Sequence, residues 1–220
     1  MQNLVIKKRV DQKRLYLISP PKLKWPYLFN TVQRLMGFGI ISILQLRLKN
    51  ENDDSIRRVA KKLLPVCHKN NVALIINDRA DLAAETKSDG VHIGQSDMPC
   101  SEARKLLGKN ALIGVSCHDS LDLATRAVND GANYVAFGSF FSTKTKKRKG
   151  RPTTKLLKDW KSKFKIPTVA IGGIDPKNSI PLINSGADFV AVMSNIWKHQ
   201  KTPWHRLEIF RKSFDKNLKI

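Results

Sequence analysis

Two aspartates at matched positions are the residues in this chain best suited to do chemistry. Asp78 follows the apolar run 73–76, and Asp97 follows a second apolar run, 88–93. If consecutive parallel strands carry these runs, both carboxylates fall just past a strand's C-terminal end, on one face of the sheet. With Asn77 and Gln95 beside them, they could hold a hard divalent cation. Mg²⁺ commonly takes one or two protein carboxylates and fills its shell with water and substrate phosphate. The competing reading is that each Asp caps the helix that follows, because Asp is a favoured N-cap. Positive charge lies one strand earlier. In Gln45-Leu46-Arg47-Leu48-Lys49, alternation puts Gln45, Arg47 and Lys49 on one side, a fork suited to phosphate.

The elements that must position these residues show a regular rhythm. Strand patterns occupy 14–19, 39–46, 73–76, 88–93, 111–115, 133–137, 168–171 and 188–193, short apolar runs bounded by turn residues. Helical patterns lie between them at 27–36, 55–70, 80–86, 101–107, 121–130, 154–164, 178–185 and 204–214. Asp175-Pro176 supplies an N-cap and an N1 proline for the seventh helix, and Asp119-Ser120 can cap the fifth. Eight strand–helix units without a long structureless connection predict a single-domain (β/α)₈ TIM barrel over residues 1–220, with 1–13 a basic N-terminal extension. An open doubly wound sheet is the alternative, but no GxGxxG first turn is present. A phrase recurs in units four, six and eight: Lys87-Ser-Asp-Gly-Val-His, Gly131-Ala-Asn-Tyr-Val-Ala and Gly186-Ala-Asp-Phe-Val-Ala. Gly131 and Gly186 suit the left-handed position that ends a helix.

A barrel of this kind works at the C-terminal ends of its strands. Strand five ends in Gly114-Val115-Ser116-Cys117-His118, and strand six runs from Gly138 through Thr143-Lys144-Thr145-Lys146. Strand seven ends in Gly172-Gly173-Ile174 and strand eight in Met193-Ser194-Asn195. Gly172-Gly173 allows close backbone approach, and 194–198 could form the short extra helix with which such barrels bind phosphate.

Composition narrows the function classes. Against 18 acidic residues stand 40 Lys and Arg, a net charge of +22 in 220 residues. Such a balance suggests an anionic partner: nucleic acid, a membrane surface or a phosphorylated substrate. The positive residues are spread along the whole chain, as a general lysine bias would also produce. No RNP-like aromatic motif, helix-turn-helix signature or zinc spacing is present, which argues against specific nucleic-acid recognition. Cys67, Cys100 and Cys117 have no metal-ligand spacing and read as reduced thiols. With no apolar run of membrane-spanning length and no signal-peptide core, the expected location is the cytoplasm.

Taken together, QLRLK, ND, GVHIGQSD, GVSCH, FGSFFSTKTK, AIGGI and VAVMS resemble the thiamine-phosphate synthase family in order and spacing. The resemblance runs from Leu15 to Ser194. IGGI is shared by many phosphate-binding barrels, whereas GVHxGQxD and TxTK are specific. The resemblance implies an enzyme that couples 4-amino-2-methyl-5-diphosphooxymethylpyrimidine to a thiazole phosphate, releasing pyrophosphate. It implies that Gln45, Leu46, Arg47, Leu48, Lys49, Asn77, Ser116 and Lys146 hold the pyrimidine diphosphate. Arg47, Lys49 and Lys146 would neutralise the departing pyrophosphate. Asp78 and Asp97 would bind Mg²⁺, and Thr143, Lys144, Thr145, Gly173, Met193 and Ser194 would hold the thiazole phosphate. Leu48 departs from the family, which usually has Glu there, but alternation points its side chain away from Arg47 and Lys49.

Within the same fold, a thiazole tautomerase-like enzyme is the alternative, although it would have no pyrophosphate for Asp78, Asp97, Arg47 and Lys49 to serve. A basic nucleic-acid-binding protein is the alternative from another class. Nothing points to a membrane partner, and the small-molecule substrates are the expected partners. His92 reads as a packed strand residue, His118 as nearer the mouth, and Trp25, Trp160, Trp197 and Trp204 as packing residues. Lys147, Arg148, Lys149 and Arg151 read as a solvated loop that could close over bound phosphates.

Overall fold

In the computed structural model, which describes residues 14–22, 25–142, 150–198 and 202–217, the eight apolar runs form one closed parallel barrel. Its strands are β1 (Leu15–Ile18), β2 (Ile41–Leu46), β3 (Ala73–Asn77), β4 (Gly90–Ile93), β5 (Leu112–His118), β6 (Tyr134–Gly138), β7 (Thr168–Ile171) and β8 (Phe189–Val192). Each pairs with its sequence neighbour, and β8 closes the ring on β1 through Leu15, Tyr16 and Leu17. Seven helices follow β1 to β7: α1 (Tyr27–Met36), α2 (Asp53–Lys69), α3 (Ala80–Thr86), α4 (Cys100–Leu107), α5 (Leu121–Asn129), α6 (Thr154–Lys163) and α7 (Pro176–Asn184). After β8 come a single turn, α8 (Ser194–Trp197), and α9 (Pro203–Asn217). The proposed extension 1–13 lies outside the described residues.

Alternation divides the apolar residues into two cores. Tyr16, Ile43, Ile75, Tyr134, Val169 and Phe189 are among those filling the barrel interior. Leu17, Leu44, Leu74, Val91, Phe137 and Val190 face outward and pack with the helices. Among the described residues, no helix is long and apolar enough to cross a membrane. Trp160 and Trp197 are buried as expected, whereas Trp25 stands before α1 and is 39% exposed.

Helix starts follow the caps that the sequence contains. Asp175 forms a full capping box with Asn178 at α7, and Ser120 accepts from Leu123 N at α5. At α2 the cap is Asn52, which accepts from Ser55 N at 2.9 Å, so this helix begins two residues before the expected Ser55.

The recurring phrase explains how the bottom of the barrel is built. Its third residue turns its side chain back onto an amide at the start of the preceding strand, its first or second. Asp89 accepts from Leu74 N at 2.7 Å, Asn133 from Ile113 N at 2.8 Å and Asp188 from Thr168 N at 2.9 Å. A basic residue of the helix before the preceding strand meets each of them: His68, Arg104 and Lys161. These side-chain bonds satisfy strand-end N–H groups that parallel pairing leaves over. The first residue of each phrase is left-handed: Gly131 at φ 97°, Gly186 at φ 111° and Lys87 at φ 54°. Lys87 shows that the geometry, more than the glycine, is what the repeat preserves.

Candidate active site

The other end of the barrel opens into a cavity of about 760 Å³, bounded by residues from the C-terminal ends of all eight strands. One rim is charged. Gln45, Arg47 and Lys49 enter from the end of β2, while Leu46 and Leu48 are buried among the outward-facing apolar residues. The five-residue run therefore narrows to its alternate members: neither Leu46 nor Leu48 offers a side chain to the cavity, because the β2 pleat turns both toward the helices.

Asn77 and Asp78 follow from β3. Gln45 Nε2 donates to Asn77 Oδ1 at 2.6 Å, and Lys49 Nζ lies 2.9 Å from Asp78 Oδ2. Asp78 has φ 64°, a left-handed conformation that Asp tolerates better than most residues. Its amide donates to His92 O at 2.8 Å, which ties this turn to β4. Neither aspartate caps a helix. The N-cap of α3 is Arg79 and that of α4 is Pro99, with no side-chain cap at either. Asp97 instead accepts from Gly94 N at 2.7 Å and faces Asp78.

The electrostatics of this pair are unequal. Burial works against the charge on Asp78, but the Lys49 ammonium outweighs it and holds the carboxyl below its ordinary value. Burial raises Asp97, and the adjacent Asp78 charge pushes it further in the same direction. Two partly buried carboxyl groups, one of them raised by burial and by the charge of the other, form a set that a hard divalent cation would suit. Among the described residues no group of three or more His, Cys, Asp and Glu gathers as a metal site. A cation here would thus draw two carboxylates from the protein.

Opposite the charged rim, β6, β7 and β8 contribute small residues and bare backbone: Gly138, Ser139, Gly172, Gly173, Met193 and Ser194. Gly172 and Gly173 are left-handed, at φ 105° and 63°. A Cβ on Gly172 would stand 2.0 Å from Ser139 Oγ, and one on Gly173 would stand 2.6 Å from Ser142 O. These glycines let the chain after β6 lie against the end of β7. Thr143, Lys144, Thr145 and Lys146, with Lys147, Arg148 and Lys149, lie outside the described residues. Beyond them, Arg151 N donates to Asp119 Oδ2 at 2.9 Å.

β5 runs three residues further than its apolar pattern, to His118, with a register shift between Ser116 and His118. The extension places Ser116 and His118 on the cavity wall. His92, which reads from the sequence as a packed strand residue, also lines the cavity while remaining 8% exposed. Gln95 was visible only as a neighbour of Asp97, yet it fastens β5 by donating to Ser116 O at 2.7 Å. Lys198, the last residue of the expected helix 194–198, and Ser142, within the FGSFFSTKTK motif, also line the far rim, although neither is given a role by the sequence.

A model of the family described as "Thiamine monophosphate synthase" matches residues 15–196. A thiamine-phosphate synthase of Rhodospirillum centenum is 44% identical over 190 residues, covering 86% of this chain and 92% of that protein. One from Pelagibacter ubique is 41% identical over 204 residues, covering 93% and 97%. Among solved structures, the thiamine phosphate pyrophosphorylase from Pyrococcus furiosus superposes with a TM-score of 0.81 at 30% identity, covering 96% of this chain and 99% of that one.

Proposed function

We propose that this chain, which belongs to the thiamine monophosphate synthase family, joins 4-amino-2-methyl-5-diphosphooxymethylpyrimidine to a thiazole phosphate and releases pyrophosphate, as a transferase of the cytoplasm. The methylene C–O bond breaks and its electron pair leaves with pyrophosphate. The electron-rich aminopyrimidine supports the positive charge left on the methylene carbon. The thiazole ring nitrogen then donates its lone pair to that carbon, forming the C–N bond. No protein nucleophile is required.

The chain's own task is to orient two substrates and to neutralise the leaving group. Arg47 and Lys49 stand where diphosphate oxygens would be held, and the family resemblance adds Lys146 to them. Charge built up on pyrophosphate is met by fixed cations, whose stabilisation is largest in a partly dehydrated cavity. Asn77, fixed by Gln45, and Ser116 would seat the pyrimidine. Gly173, Met193 and Ser194, with Thr143, Lys144 and Thr145, would take the thiazole phosphate. Holding both partners in one cavity makes the coupling effectively unimolecular.

Asp78 and Asp97 would hold Mg²⁺, which would supply further positive charge to the diphosphate oxygens. The observation that most supports this reading is the Lys49–Asp78–Asp97 cluster on the cavity rim, with neither aspartate employed as a cap. The test is pyrophosphate release by the purified protein. Release that needs both substrates and is abolished by EDTA supports coupling and the metal. Release that persists in EDTA removes the metal from the scheme, and no release with both substrates present removes the coupling.

A further inference from the structure

Below the charged rim, four side chains form a hydrogen-bonded file that descends into the barrel. Ser116 Oγ is 2.9 Å from His92 Nε2, His92 Nδ1 is 3.1 Å from Tyr134 Oη, and Tyr134 Oη is 3.0 Å from Tyr16 Oη. His92 and Tyr134 stack at 22° with centroids 5.7 Å apart, and Tyr16 meets both rings edge-on. The file is accommodated by Gly114, where a Cβ would fall 1.9 Å from Tyr134 Cζ. Both tyrosines are 1% exposed.

The direction of this file follows from counting hydrogens. Burial pushes both phenols well above their ordinary value, so each keeps its one hydrogen. Among the described residues, Tyr16 Oη has a single hydrogen-bond partner, Tyr134 Oη. A buried hydroxyl that fails to donate leaves its hydrogen unsatisfied, which is costly in an apolar interior. Tyr16 must therefore donate to Tyr134. Tyr134, accepting from Tyr16, has only His92 Nδ1 to receive its own hydrogen. An imidazole that accepts at Nδ1 carries its hydrogen on Nε2, and that hydrogen points at Ser116 Oγ.

We propose that Tyr134 and His92 are positioning residues that turn the hydrogen of the Ser116 hydroxyl toward the cavity, where it meets a ring-nitrogen acceptor of the pyrimidine. With one lone pair of its oxygen engaged by the Nε2–H of His92, Ser116 directs its own hydrogen away from the imidazole, toward a ligand. Gln95 restrains the same residue from the backbone side, at Ser116 O. A pyrimidine carrying an exocyclic amine presents two ring nitrogens as acceptors and the amine as a donor. A hydroxyl whose hydrogen is aimed into the cavity donates to one of the ring nitrogens, and the amine can reach only the one lone pair that His92 leaves on its oxygen. The selectivity rests on the coupling reaction proposed above; the polarity of the file does not.

The experiment therefore has two arms. In the first, the ring nitrogens of His92 are observed by ¹⁵N NMR in the intact protein, assigned by difference against His92→Asn. A pyridine-type Nδ1 with a pyrrole-type Nε2 is the expected result, and the reverse pattern overturns the proposal. Tyr16→Phe should leave the pattern unchanged, since Tyr134 then has only Nδ1 to donate to; a reversal there equally overturns it. In the second arm, the pyrimidine diphosphate is compared with two analogues, each with one ring nitrogen replaced by C–H. Wild type should lose about tenfold in kcat/KM with one of the two, the scale of one hydrogen bond. Ser116→Ala should erase that difference. Equal discrimination in Ser116→Ala overturns the selectivity. Failure of wild type to turn over the parent pair refutes the coupling reaction, while the NMR result still decides the polarity.

Discussion

The two ends of this barrel are built from similar residue types to opposite effect. At the bottom, Asp89, Asn133 and Asp188 each accept a strand amide and each meet a basic side chain, so their charge and polarity are spent within the fold. At the top, Asp78 and Asp97 face one another across a cavity, cap no helix and, among the described residues, have the Lys49 ammonium beside them. The bottom arrangement repeats three times along the chain. The top one occurs once. A repeat at two-unit spacing is what strand geometry asks for wherever a parallel ladder begins, whereas the arrangement at the top satisfies no strand amide. Aspartate by itself carries neither meaning; the end of the strand on which it stands decides.

That contrast predicts separable consequences of substitution. Asp97→Ala should lower turnover by ~10²-fold or more, the scale of losing one stabiliser of transition-state charge, with thermal unfolding little changed. Steady-state pyrophosphate release beside a melting curve measures both, and retained EDTA-sensitive activity would take Asp97 out of the site. Lys49→Met should raise KM for the pyrimidine diphosphate by ~10- to 10²-fold, as for a lost charge-assisted hydrogen bond. An unchanged KM would assign Lys49 to Asp78 alone.

At the other end, Asp188→Ala should leave KM for both substrates within about twofold while costing ~1–3 kcal/mol of stability, because Thr168 N and the Lys161 ammonium lose their acceptor. Urea unfolding gives that number, and a drop in kcat at full stability would break the division between the ends. The smallest effect is expected for Leu48→Met. This swap conserves volume in the outward-facing core and should cost under ~1.5 kcal/mol, with kinetics unaltered although Arg47 and Lys49 flank it.

Most of the architecture was legible because barrel strands are short, apolar and punctuated. All eight strands and the first seven helices lie within a few residues of their sequence patterns. The discrepancies have local causes. Asn52 rather than Ser55 opens α2, because a cap is a single side chain with no periodic signature. β5 passes beyond Val115 because its polar continuation, Ser116 to His118, pairs with β6 through a register shift that hydrophobic alternation does not encode. That same irregularity put Ser116 on the cavity wall. His92 read as a packed side chain and is one, yet it also borders the cavity, since a residue at the last turn of a barrel interior belongs to both.

By itself, then, the sequence determined the closed ring of strands, the end at which the cavity opens and, among the described residues, most of the polar side chains gathered there. Those features depend on alternation and on position relative to strand ends, which are properties of the chain read in order. Only the tertiary structure decided that Asp78 and Asp97 confront each other, and that Tyr16 is joined to Ser116 through Tyr134 and His92. These relations join residues as far as 118 positions apart. Their polarity follows from how many hydrogens a buried file must satisfy, a constraint that exists only once the barrel has closed around them.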